Sequence, residues 1–101
     1  MSKQVNFKLT PELLQKWEEE IEFRKVAKSF FIKKALDNAI IFNDDLSKVL
    51  TPVGDKTEEG YSTFKSGFAK RAEQYADSQN VSLSDCIRRA IIKEINRRKE
   101  N

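Results

Sequence analysis

Displaced by 55 positions, this 101-residue chain falls back onto itself. Val26 lands on Val81, Ser29 on Ser84, Ile32 on Ile87, Lys33-Lys34 on Arg88-Arg89, Ala35 on Ala90, Leu36 on Ile91 and Ile40 on Ile95; further back, Leu13 meets Phe68, Glu18 meets Glu73 and Glu22 meets Asp77. Shared apolar spacing and a shared gap between helices make the halves a degenerate tandem repeat. That feature constrains folding more than any other. A unit of about 43 residues buries too little apolar surface to fold alone without disulfides or a metal. One cysteine, Cys86, and no histidine supply neither an internal disulfide nor a metal cage. Each half therefore needs a partner.

Within the first half, "KQVNFKL" alternates apolar Val5, Phe7 and Leu9 with polar Gln4, Asn6 and Lys8, the period of a half-buried strand. A solitary strand leaves its backbone N–H and C=O groups unpaired, so it must form a ladder with another copy. Thr10 then suits an N-cap and Pro11 the first helical position. Leu13, Leu14, Trp17 and Ile21 predict a helix to about Arg24, and Trp17 reads as core. Glu18, Glu19, Glu20 and Glu22 lie mostly off that apolar stripe. They read as a solvated face with i,i+4 partners rather than as a paired-carboxylate site, which would require burial. After a break at residues 25–27, Phe31, Ile32, Ala35, Leu36, Ala39 and Ile40 predict a second amphipathic helix.

The second half repeats the pattern. Phe68, Ala72, Tyr75 and Ala76 predict one helix, and Leu83, Ile87, Ala90, Ile91 and Ile95 another, with a break near Asn80. The domain expectation is a first unit at 1–43, an acidic linker at 44–60 and a second unit at 61–101. The linker carries two basic and five acidic residues, against eight and six before it and nine and five after it, and its Pro52, Gly54 and Gly60 break any period. About 18 linking residues can span roughly 60 Å, and tethering raises effective concentration. Pairing within one chain is therefore expected to win over pairing between chains.

With 35% charged and 39% hydrophobic residues, the composition is that of an ordinary soluble protein. No apolar run approaches the ~18 residues of a membrane span, and the Met1 end lacks a signal-peptide pattern. The expectation is a cytoplasmic protein without a membrane partner. Lacking histidine, the commonest ligand and general base, the chain is not expected to be an enzyme or to carry a cofactor or metal.

Strand, helix, turn and helix, with "VNFKLTPELL" beside a V-x-V-x-L-P-x-E-L-L pattern and "NVSLSDCIRRAI" beside G-V-S-x-S-x-x-I-R-x-A-[IL], resemble the ribbon-helix-helix DNA-binding proteins of the Arc and MetJ group. The resemblance covers nearly all of the chain outside the linker. It implies a mainly α fold with a short β-ribbon, built here from two ribbon-helix-helix units as a pseudo-dimer. The ribbon would enter the major groove of double-stranded DNA, as in a transcriptional repressor or regulator.

Gln4, Asn6 and Lys8 would then face the bases. Asn and Gln bond adenine N6 and N7, and Lys donates to guanine O6 and N7. The 55-residue displacement puts Glu59, Tyr61 and Thr63 on the same face, with Tyr61 and Thr63 as the second strand's readers. Phe64 is that strand's one clear core residue, and its length is left open. Phosphates are expected at the N-termini of the second helices, where free N–H groups and the helix dipole favour anions. Ser82 and Ser84 serve one side. Lys28 and Ser29 serve the other, where Ala27 replaces the capping hydroxyl, and Lys65 stands beyond the second strand. The tail Arg97-Arg98-Lys99 is more simply a basic helix end. Cys86, near a helix start beside Arg88 and Arg89, has the setting of a reactive thiol, but it aligns with Phe31 and is expected to pack in the core.

Two other classes remain open from sequence. One is an antitoxin-like or accessory helical module whose main partner is another protein. The other is a purely architectural helical dimer. Further self-association on DNA is compatible with the leading expectation.

Overall fold

The computed structural model describes residues 2–100, with side chains described as far as Arg97. Arg98 and Lys99 of the basic tail lie outside the described side chains. The element order is β1 (Ser2–Leu9), α1 (Pro11–Arg24), α2 (Lys28–Ile41), a 3₁₀ turn at Leu46–Lys48, β2 (Glu58–Lys65), α3 (Ser66–Ser78) and α4 (Leu83–Glu100). The chain is mainly helical, and its two strands form a small antiparallel sheet. Among the described residues, no helix is long and apolar enough to cross a membrane.

Strand β1 finds its partner in the same chain. The register runs from Ser2 opposite Lys65 to Leu9 opposite Glu58, with Asn6 opposite Tyr61. Because side chains alternate along a strand, Val5, Phe7 and Leu9 enter the core while Gln4, Asn6 and Lys8 stay exposed. A two-stranded sheet is marginal alone, and here its apolar face is covered by the helices, α4 lying against β1 and α2 against β2.

Helix α1 begins as its sequence directs. The Thr10 hydroxyl accepts the Leu13 N–H at 3.2 Å, and Pro11 occupies the first turn. Such a cap contributes about 1 kcal/mol. The helix ends at Lys25 in the left-handed conformation, with the Lys25 N–H donating to Glu22 and the Val26 N–H to Ile21. The second turn repeats this bond for bond: Asn80 is left-handed, its N–H donates to Asp77, and the Val81 N–H donates to Ala76. Each of these residues stands 55 positions from its counterpart. This paired closure satisfies the last carbonyls of each first helix and sets the angle at which the next helix leaves.

The core is continuous across both halves. Trp17 lies between Phe7 and Phe31, with ring centroids at 6.1 and 6.3 Å, and α2 packs on α4 through Ile32, Ala35, Leu36, Ile87, Ala90 and Ile91. Tilted aromatic pairs of this kind add roughly 0.5–1.5 kcal/mol beyond their area. Phe68, expected inward, is only partly buried and stacks beside Phe64 at 5.1 Å.

Three further features depart from the sequence reading. Glu20, expected on a solvated face, is buried, because the Arg24 guanidinium one turn on pairs with it at 2.7 Å. The linker is not a bare spacer, since Leu46 is fully buried; its N–H donates to the Gln79 side chain and its carbonyl accepts from Arg89. Asp44 accepts Arg97 at 2.7 Å and, through its carbonyl, the Tyr75 hydroxyl. Strand β2 is as long as β1 and starts inside the expected linker, at Glu58. Its core face holds buried Ser62 beside Phe64, and at Gly60 a Cβ would stand 2.8 Å from the Phe7 ring.

A buried ionic cluster joins the far ends of three helices. Glu94 accepts Arg24 at 2.9 Å, Asn38 at 2.9 Å and Arg97 at 3.3 Å, and Arg24 also bonds Glu20 at 2.7 Å. Burying a carboxylate is tolerable only with this degree of pairing.

Candidate nucleic-acid interface

The outward face of the sheet brings six polar side chains into one layer: Gln4, Asn6 and Lys8 from β1, and Glu59, Tyr61 and Thr63 from β2. All six are exposed, and Tyr61 presents 68% of its surface. Their cross-strand order is Gln4 with Thr63, Asn6 with Tyr61, and Lys8 with Glu59. The Gln4 amide donates to the Asn6 side-chain oxygen at 3.1 Å, so these two adjacent side chains are oriented together. All five side chains expected to read bases are thus on one surface.

Beside this layer, one cleft of about 560 Å³ is lined by Asn6, Lys8, Lys56, Glu59, Ser84 and Arg88, among others. Here the first turns of α4 reach the outer edge of β1. The Ser84 hydroxyl donates to the Asn6 carbonyl at 3.3 Å, and Arg88 donates to the Lys8 carbonyl at 3.1 Å. An edge strand has unpaired backbone acceptors, and these two side chains satisfy them. Ser82 caps the helix as expected, its hydroxyl accepting the Asp85 N–H at 3.1 Å.

A second cleft, of about 350 Å³, is lined by Trp17, Lys28, Ser29, Glu59, Gly60 and Tyr61. It lies at the start of α2, where Ala27 provides no side-chain cap. The Lys28 ammonium stands 5.5 Å from the Trp17 ring and 3.7 Å from a Glu18 oxygen. Among the described residues, Ser29 and Lys33 make no bond to β2 equivalent to those of Ser84 and Arg88 with β1. Glu59, Gly60 and Tyr61 line both clefts, so the N-termini of α2 and α4 flank the same stretch of ribbon.

No protein-family model, curated protein or solved structure matches the chain. The chemistry of the surface is accordingly read from its own residues. Two helix N-termini with hydroxyl and basic side chains can each hold an anion, and the layer between them offers side-chain donors and acceptors. Lys65 is not brought to either cleft, because it ends β2 opposite Ser2. Arg88, Lys56 and Glu59 line the surface without having been singled out as site residues from sequence. Arg88 carried a signal, its alignment with Lys33 in the repeat; Lys56 carried none, since it lies in the linker.

Cys86 takes no part in this surface. It is fully buried, and burial, with the nearby Asp85 charge, pushes its thiol up to about 12. A thiol held protonated is not a nucleophile at neutral pH.

Proposed function

We propose that the chain is a tandem ribbon-helix-helix protein, its two halves forming a pseudo-dimer within one molecule, that binds double-stranded DNA sequence-specifically and regulates transcription. The observation that carries this reading is the exposed polar ribbon face flanked on both sides by the N-termini of α2 and α4. A two-stranded ribbon fits the major groove, and side chains on its outer face reach base edges while helix N-termini take the phosphates beside them. The register supports the pseudo-dimer. Asn6 and Tyr61 are opposite each other and also 55 positions apart, so the same displacement exchanges the pairs on either side, Gln4–Thr63 with Glu59–Lys8. The duplicated turns at Lys25 and Asn80 agree with it.

The test is equilibrium binding of the full chain to labelled duplexes across a salt series. Displaced counterions give a steep fall of affinity with salt, and specific duplexes hold on longer than scrambled ones. Equal and salt-insensitive signals from all duplexes overturn the reading.

One observation favours the alternative of a module whose main partner is another protein. Phe30 and Ile41 on α2 are 56% and 71% exposed, and neither lines a cleft beside the ribbon. Indifference to duplex in the same titration favours this class or the architectural dimer over DNA binding.

A further inference from the structure

We propose that the recognised duplex element is non-palindromic and is bound by a single chain in one orientation, with one end of the ribbon suited to A·T pairs and the other to G·C pairs. This rests on the ribbon being the reading element. A symmetric homodimer presents the same groups to both half-sites, and its operator mirrors that symmetry. Here the two ends of the ribbon differ chemically. Gln4 stands opposite Thr63 at one end, and Lys8 stands opposite Glu59 at the other. An amide that both donates and accepts matches adenine N6 and N7, and a threonine offers a methyl to thymine. Lys8 only donates, as guanine O6 and N7 require, and Glu59 only accepts, as cytosine N4 requires. Donor-only and acceptor-only groups side by side thus complement the two members of a G·C pair. The two flanks of the ribbon also differ, with Arg88, Lys56 and Ser84 on one side and Lys28 and Ser29 on the other.

The core disfavours the symmetric pairing of two like strands. In a ribbon of two β1 strands centred on Asn6, Val5 would stand where Gly60 stands now, and a Cβ there meets the Phe7 ring at 2.8 Å. A ribbon of two β2 strands would set Gly60 against Ser62 and leave the space of the Phe7 ring unfilled. Glu94 reinforces the choice by binding Arg24 and Asn38 of the first half. The first-half residue 55 positions earlier is Ala39, whose side chain can accept neither.

The experiment is selection from a random duplex pool with the full chain, followed by affinity measurements on the selected element and on the two palindromes made from its halves. The expected result is an asymmetric consensus, one chain per element, and both palindromes weaker by roughly tenfold or more, the loss of about one base-specific contact. Lys8→Ala should relax preference at the G·C end and leave the other end unchanged. A palindromic consensus, or relaxation at both ends in Lys8→Ala, overturns the inference while the ribbon remains the reader. A pool that enriches no sequence overturns the DNA reading itself, and this inference with it.

Discussion

The ring of Phe7 lies over Gly60, so close that a Cβ on the glycine would stand 2.8 Å from two ring carbons. The two residues are opposite each other in the ribbon, and this fit joins a large side chain of the first half to an absent one in the second. Gly60→Ala should therefore displace the ring and cost about 1–3 kcal/mol, the usual penalty of overpacking. Phe7→Val in the same chain makes room, so the double variant should lose less than the sum of the two singles by more than about 0.5 kcal/mol. Urea titration measures all three. Simple additivity would place the ring elsewhere.

Glu94 offers a second test of how the halves are joined. Glu94→Ala removes the acceptor of Asn38 and one acceptor each from Arg24 and Arg97, which keep Glu20 and Asp44, and losing partners of half-buried donors in this way costs about 1–3 kcal/mol. By contrast, Glu12→Ala removes an exposed pair with Lys16 at 3.2 Å and should cost less than about 1 kcal/mol. Denaturant midpoints that shift equally in the two variants would contradict a structural role for the cluster.

The ribbon face yields predictions about recognition. On the proposed DNA binding, Asn6→Ala should remove a base contact worth roughly 1–3 kcal/mol and relax preference at one position. Ser82→Ala should lower affinity evenly for all sequences, because it loosens a helix N-terminus that positions the protein without reading bases. Thermal melts separate folding from binding: Asn6 is exposed, so its variant should melt near the parent. A folded Asn6→Ala protein with unchanged specificity would move attention to Arg88, which lines the cleft beside the ribbon.

Cys86 should resist alkylation in the folded protein at pH 8 and react once the chain is unfolded, as followed by mass spectrometry. Burial raises both this thiol and the Tyr75 hydroxyl to about 12, from ordinary values of 9.0 and 10.0. Groups that ionise later in the folded than in the unfolded state add stability while protonated. That contribution is complete below pH of about 9 and is lost as the pH rises toward 12. Melting temperatures should accordingly fall over this range, and rapid native labelling would show that Cys86 is accessible.

Local pattern was enough to determine which residues of β1 face outward, that Thr10, Pro11 and Ser82 begin helices, and that Trp17 is core. Each of these depends on neighbours within one or two turns, where a period of 2 or 3.6 names a face directly. Tertiary structure alone decided the rest. Leu46 is buried and β2 begins at Glu58 because the partner surfaces come from α3, α4 and β1, far away in sequence. Glu94 looks like any helical carboxylate until Arg24, 70 positions earlier, reaches it. Likewise Ser84 and Arg88 become part of the ribbon surface only by bonding carbonyls 78 and 80 positions away. The repeat announced that two halves must pair, but a periodic pattern carries no information about register or about which charge meets which. Those follow from steric fit, as between Phe7 and Gly60, and from burial that forces each charge to find a partner.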